Sequence, residues 1–251
     1  MPEIMPVPNS PMLEIETQEG KMGILSDLHL GTSTAWRKQG IIVSKHDENT
    51  PLIELITQHH LKRLLLLGDL KASNYSYNKW EERALVNFVN SIKIPVEIIK
   101  GNHDAGIENI SHPLIRIHPE LIHLERTKLG LTIGFGHGHS IPKQLIQSVD
   151  VLVLGHLHPC VLIKDEIGAS WIIKAWLFGK IELDQREIKV IILPAANPLI
   201  RGLPVNSSKE ELEEIKIIIG KERFPIDSFT VMTPELTTLG TIEDLLLHQS
   251  Q

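Results

Sequence analysis

The apolar positions of this chain fall in short aliphatic runs with few long amphipathic stripes. Arg63–Leu67 (RLLLL) is a continuous run of the kind that strands buried on both faces require. Lys21–Ser26, Val96–Lys100, Leu131–Phe135 and Asp150–Leu154 are read as further strands. Between them, Leu52–His60 has helical spacing, Tyr77–Ile92 reads as an amphipathic helix, and Pro142–Ser148 as a helix start. Residues 31–50 are polar and mixed, a long loop or a short helix. Val161–Ile163, Trp171–Lys174 and Lys189–Leu193 are β-type runs separated by turns, which predicts a meander. Ser208-Lys209-Glu210-Glu211 has the form of a capping box and predicts a helix to about Ile219. Ile242–Leu247 is apolar and is expected to pack back on the rest. Residues 1–12 hold four prolines and are expected to be a loose lead-in. No linker divides residues 1–251, so one domain is expected.

The strands share a terminal feature. Five of them run into metal-capable side chains: Asp27/His29, Asp69, Asn102/His103, His137/His139 and His156/His158. A glycine directly precedes the first such residue at four of the five junctions. Glycine lets the backbone turn there without a side-chain clash. Ligand sites in α/β sheets gather beyond the carboxyl ends of strands, so these ends can deliver side chains to one place. Residues two apart in an extended segment face the same side, so Asp27 with His29, and His156 with His158, can converge.

Composition narrows the chemistry. Cys160 is the sole cysteine, so there is no internal disulfide and no thiolate-rich zinc knot; it reads as a small core residue. Imidazole and carboxylate groups suit Mn, Fe, Zn or Co. Asp27, His29, Asp69, Asn102, His137, His156 and His158 are too many for one tetrahedral ion and fit two ions sharing a carboxylate. The net charge of −6 argues against a broad nucleic-acid-coating surface, though not against local capture of an anion by metal ions. No apolar stretch approaches the ~20 residues of a membrane span, and the N-terminus lacks secretory features, so a cytoplasmic location and no membrane partner are expected.

DLH, GD, GNHD, GHGH and GHLH in this order, over residues 27–158, resemble the signature of the calcineurin-like metallophosphoesterase superfamily. DLHLG, the HGH block and Leu193–Asn206 (LPAANPLIRGLPVN) are similar to a microbial branch that includes the manganese-dependent DNA endonucleases called MPE. The resemblance implies a four-layer α/β/β/α sandwich with two mixed β-sheets. It implies one metal held by Asp27, His29 and His158, another held by Asn102, His137 and His156, and Asp69 between them. His103 would act on the reacting phosphate, with Asp104 orienting it and His139 beside the site. It implies two divalent ions, manganese first among them, and hydrolysis of a phosphodiester by a metal-activated hydroxide. Single-stranded DNA is the substrate the branch implies, and a DNA-repair helicase is a partner found with some relatives. One departure is Ala72, three positions after Asp69, where many relatives carry Asp, Glu or His.

Other readings stay open at this point. Hydrolysis of small phosphodiesters, nucleotides or pyrophosphates is one, and a non-catalytic protein-binding scaffold is another. Arg37 and Lys38 are candidates to grip substrate phosphates, as are Lys71, Lys143 and Arg201. His59, His60, His112, His118 and His123 are expected at the surface or in caps. The sequence does not give an oligomeric state.

Overall fold

The aliphatic runs are the strands of two mixed sheets that face one another. The computed structural model describes all residues except 1–2, 44–48, 73–78, 119–121, 143–145, 166, 209–212, 214–223 and 250–251. The first sheet holds β1 (Ile4–Pro6), β2 (Leu13–Thr17), β3 (Gly20–Leu25), β4 (Arg63–Leu67), β5 (Val96–Ile99) and β6 (Ile115–His118), in that order. β3 to β6 run parallel, and β1 and β2 extend the sheet antiparallel. The second sheet is built from β7 (Ile122–Arg126), β8 (Thr132–Gly136), β9 (Val151–Leu154), β12 (Trp176–Leu183), β13 (Arg186–Ile192), β15 (Thr230–Met232) and β16 (Thr238–Thr241). Its order is β16-β15-β12-β13-β9-β8-β7, with β13, β9 and β8 parallel. A small third sheet joins β10 (Pro159–Lys164), β11 (Ser170–Lys174) and β14 (Leu203–Pro204).

Period-two alternation explains the layers. Leu65 and Leu67 of β4 enter the space between the large sheets, where they meet Phe135 of β8, Val151 and Val153 of β9, and Trp176 of β12. Leu64 and Leu66 turn outward and lie under α2 (Thr50–Gln58) and α3 (Lys79–Ile92), through Leu52, Ile56, Leu85, Phe88 and Val89. On the far face of the second sheet, Leu152, Leu154 and Val190 are covered by Ile146, Phe224, Ile226 and the Ile242 and Leu246 side chains of α4 (Ile242–Gln249). Burial of a Leu or Ile side chain in these layers stabilises by about 1.5–3 kcal/mol. The order of layers is that of the expected α/β/β/α sandwich.

Two expectations change, and one of two open readings is settled. The proline-rich start is not loose throughout: Ile4–Pro6 pairs with Leu13–Ile15, and Val7 and Met12 are buried. Proline is tolerated there because this strand is a sheet edge. Residues 31–50 contain a short helix, α1 (Thr32–Lys38). The 161–193 region is no single meander, since β10 and β11 leave the second sheet while β12 and β13 belong to it. Most of the 208–219 helix, with Glu210, Tyr77 and part of Pro142–Ser148, lies outside the described residues.

Candidate metal centre

β3, β4 and β5 are parallel neighbours in one sheet, β8 and β9 in the other, and their carboxyl ends open onto one rim. The loops after β3 and β4 pair with one another: the His29 and Leu30 amides donate to the Asp69 and Leu70 carbonyls at 2.9 and 2.7 Å. The sheets are tied across the rim. His156 N–H donates to Asp27 Oδ2 at 3.1 Å, and His137 Nδ1 donates to the Leu67 carbonyl at 2.8 Å. That second bond points His137 Nε2 into the rim, 3.3 Å from Asp69 Oδ1 and 3.1 Å from Asn102 Oδ1. The ring of His29 is fixed in the same way, with Nδ1 3.1 Å from the Lys71 carbonyl.

Two groups of candidate ligands result. Asp27, His29, Asp69 and His158 each offer a ligand atom within 4.8 Å of the others, and so do Asp69, His137 and His156. Asp69 belongs to both groups. Asn102 is exposed but touches His137, so all seven residues meet on this rim.

Glycine and ligand divide the local strain differently from the sequence reading. Asp27, His29, Asp69, His156 and His158 themselves have left-handed backbone, with φ of 58, 39, 51, 69 and 48°. Such residues are uncommon outside glycine and cluster at functional sites. Gly101 and Gly155 serve to make room. A Cβ at Gly101 would stand 2.2 Å from Asp69 Oδ1, and one at Gly155 would stand 1.7 Å from Ser26 Oγ.

The electrostatics fit cations. Asp27 Oδ1, His29 Nε2 and His158 Nε2 are buried without a hydrogen-bond partner. His158 Nε2 lies 2.8 Å from Asp27 Oδ1, an ion-pair contact without hydrogen-bond angles. Buried polar atoms are seldom left so, and a divalent ion would satisfy all three. Burial alone would raise Asp27 and Asp69, but the neighbouring histidines outweigh it and hold both carboxyls below the usual range. For His137, burial is outweighed by the Asp69 hydrogen bond and the Asp27 charge, and it rises to about 9. His156 falls to about 4 through burial and the charge of His137. His29 and His139 are lowered too, burial being the main cause.

The remaining candidates are distributed around this rim. His103 is half-buried; its amide donates to Asp69 Oδ1 at 3.0 Å and its Nε2 is 3.7 Å from Asp69 Oδ2. Asp104 does not orient it as expected. Its fully buried carboxylate accepts from the Gly101 and Leu70 amides at 2.9 and 2.8 Å, locking the second and third loops together. His139 packs 5.4 Å from the His137 ring. Arg37 and Lys38 are exposed in the last turn of α1, and the Lys38 ammonium sits 4.8 Å over the Trp80 ring. Lys71 is buried and donates to the Ala105 carbonyl, which takes it from the substrate-gripping set. Lys143 lies outside the described residues. Cys160 is buried, as expected.

Residues 21–176 match the calcineurin-like phosphoesterase superfamily domain. The chain belongs to that superfamily. Among solved structures, this chain is similar to Pseudomonas putida nuclease MPE, with TM-score 0.52 and 15% identity over 89% of this chain and 97% of that one. It also matches wild-type Vps29 complexed with zinc from Entamoeba histolytica (TM-score 0.36, 13% identity, 73% and 80% covered). Chaetomium thermophilum Vps29 matches with TM-score 0.33 and 14% identity, over 71% and 97%. No curated protein matches the chain.

Several supports of the rim are not legible in the sequence. Ser26 Oγ donates to Asp27 Oδ2 at 2.6 Å. Buried Asn197 donates from Nδ2 to the Leu28 and His29 carbonyls at 2.8 and 3.1 Å, bracing the first loop from behind. Lys174, which burial lowers to about 8, donates to the Ala195 and Asn197 carbonyls. The Leu193–Asn206 stretch pointed towards Asn197, but only the folded chain shows what it holds. A cavity of about 700 Å³ lined by Ile4, Phe178, Lys189 and their neighbours includes none of the rim residues. No described helix is long and apolar enough to cross a membrane.

Proposed function

We propose that this phosphoesterase hydrolyses phosphodiester bonds with two divalent cations, manganese in the native protein, and that its substrate is single-stranded DNA. The observation that carries the reading is the convergence of unpartnered Asp27 Oδ1, His29 Nε2 and His158 Nε2 beside a second group that shares Asp69. Asp27, His29, Asp69 and His158 would hold one ion; Asp69, Asn102, His137 and His156 would hold the other. Bound there, the pair would supply an activated hydroxide and offset the charge of the phosphate. His137 must give up its Nε2 proton to serve as a ligand, while Nδ1 keeps its proton and donates it in a hydrogen bond to the Leu67 carbonyl. His103, half-exposed beside Asp69, would protonate the departing oxygen. Asp104, Ser26 and Asn197 act through the loops they hold.

The preference for DNA rests on the resemblance of DLHLG, HGH and Leu193–Asn206 to the endonuclease branch. A helicase partner and a cytoplasmic location belong to the same reading. The net charge of −6 favours a second reading, hydrolysis of a small phosphodiester or nucleotide. The test is a panel with Mn²⁺: aryl phosphate monoester, aryl diester, cyclic nucleotide, and circular single- and double-stranded DNA. Nicking of the single-stranded circle, abolished by Asp69→Ala, is the expected result. Turnover confined to the small esters would reject DNA as substrate, and no turnover by fully metallated protein would reject catalysis.

A further inference from the structure

A second gathering of imidazoles and carboxylates lies away from the strand-end rim, where the open edges of the two large sheets meet. β6 ends one sheet and β7 ends the other. On β5 and β6, Ile98 and Ile117 pack beneath the helices, so Glu97 and His118, which alternate with them, turn into the space between the sheets. On β7, His123 and Glu125 stand opposite Phe135 and Ile133, both members of the inter-sheet core. Side chains directly opposite in an antiparallel pair share a face. One sheet therefore contributes Arg63, Glu97 and His118 to this edge, and the other contributes His123 and Glu125.

The contacts are close. Arg63 Nη1 donates to Glu97 Oε1 at 2.7 Å and to Glu125 Oε1 at 2.9 Å. His118 Nε2 is 2.6 Å from Glu97 Oε2, and His123 Nε2 is 2.9 Å from Glu125 Oε1. The two rings lie 4.1 Å apart, centroid to centroid. His118, expected at the surface, is 4% exposed. Burial alone would raise both glutamates, but hydrogen bonds from Arg63 and the histidines outweigh it, leaving Glu97 lowered and Glu125 at about 2. Two ionised carboxylates against one guanidinium leave surplus negative charge in a poorly solvated place. Exposed Glu19, 3.7 Å from Arg63 Nε, adds to it from outside.

We propose that Glu97, His118 and His123 form a separate divalent-cation site, of zinc type, that pins the two sheets together at this edge. Each offers a ligand atom, and these atoms lie within 4.8 Å of one another. Two imidazoles and a carboxylate are a donor set that zinc accepts. Arg63 retains the other oxygen of Glu97, and Glu125 fixes the ring of His123; such outer partners orient ligands in metal sites. The ion replaces the Glu97–His118 hydrogen bond with two coordination bonds and offsets the surplus charge. None of the rim residues takes part, so the site stands whether or not the rim hydrolyses phosphodiesters.

The test uses the full chain with Asp69→Asn, which impairs the rim, with and without His123→Gln. His123 is partly exposed on an edge strand, so its replacement leaves the core intact. Zinc at a hundredfold excess over Kd is expected to raise the melting temperature of the Asp69→Asn protein by about 5 °C or more. The added His123→Gln change is expected to abolish that rise. Elemental analysis of zinc-loaded wild-type protein and the His123→Gln single variant, which needs no rim mutation, is expected to show one ion fewer per chain in the variant. Equal ion content in those two proteins, or an equal zinc-induced rise with and without His123, would overturn the proposal.

Discussion

The strand-end rim and the sheet-edge cluster use the same side chains in opposite states of satisfaction. At the rim, Asp27 Oδ1, His29 Nε2 and His158 Nε2 are buried without a hydrogen-bond partner, and their residues sit in left-handed backbone. At the edge, Glu97, His118, His123 and Glu125 stand on strands with ordinary backbone, and each has a partner at hydrogen-bond distance. The rim is organised for an ion that its own groups cannot replace. The edge is held by its own hydrogen bonds and takes an ion only by exchanging one of them. Preorganisation, more than the identity of the donors, should therefore separate the two in affinity, with the rim the tighter.

Asp69→Asn strikes the residue shared by both rim groups. It should reduce hydrolysis to background, beyond the about 10³-fold that one lost electrostatic contact costs, and leave zinc binding at the edge intact. Rates and ion counts on one preparation check this. His103→Ala should lower kcat by about 10²–10⁴-fold with ion content unchanged if His103 moves a proton as proposed. Loss of metal in that variant would recast His103 as part of the rim's support. Asn197→Ala removes the brace behind the first loop and should weaken rim metal affinity or activity by about 10–100-fold, measured by chelator competition. The mildest effect is on pH. His137 keeps its extra proton below about 9, so the rim's apparent metal affinity should rise with pH and level off above that value. Below it, one displaced proton costs at most about tenfold per pH unit. A pH-independent affinity would exclude His137 as the displaced proton's holder.

How far the sequence foretold each region follows from how it is built. The rim could be read because parallel strands buried on both faces are unbroken aliphatic runs, as in Arg63–Leu67, and because glycine marks the junctions. The physical work of that glycine is only half visible: Gly101 makes room for the Asp69 carboxylate and Gly155 for the Ser26 hydroxyl, both from loops far away in sequence. The edge escaped notice because β6 (IRIH) and β7 (IHLER) alternate apolar and polar residues, the pattern of a strand with one face in water. Here the polar face turns inward onto its counterpart from the other sheet. Pairing between sheets leaves no periodic trace, and so the strand pattern alone predicts surface histidines at His118 and His123. Asn197 was hidden for the same reason, lying 168 positions from the His29 carbonyl it holds.

The reversed backbone twist at Asp27, His29, Asp69, His156 and His158 makes heat endurance and the proposed hydrolysis rivals at the same positions. Each of these residues sits where glycine would rest at ease, with a tension of about 1–3 kcal/mol per site. A descendant of this chain released from its reaction would gain thermal tolerance by letting those side chains go. His156→Gly, inert in hydrolysis, should accordingly melt later than its parent in metal-free buffer.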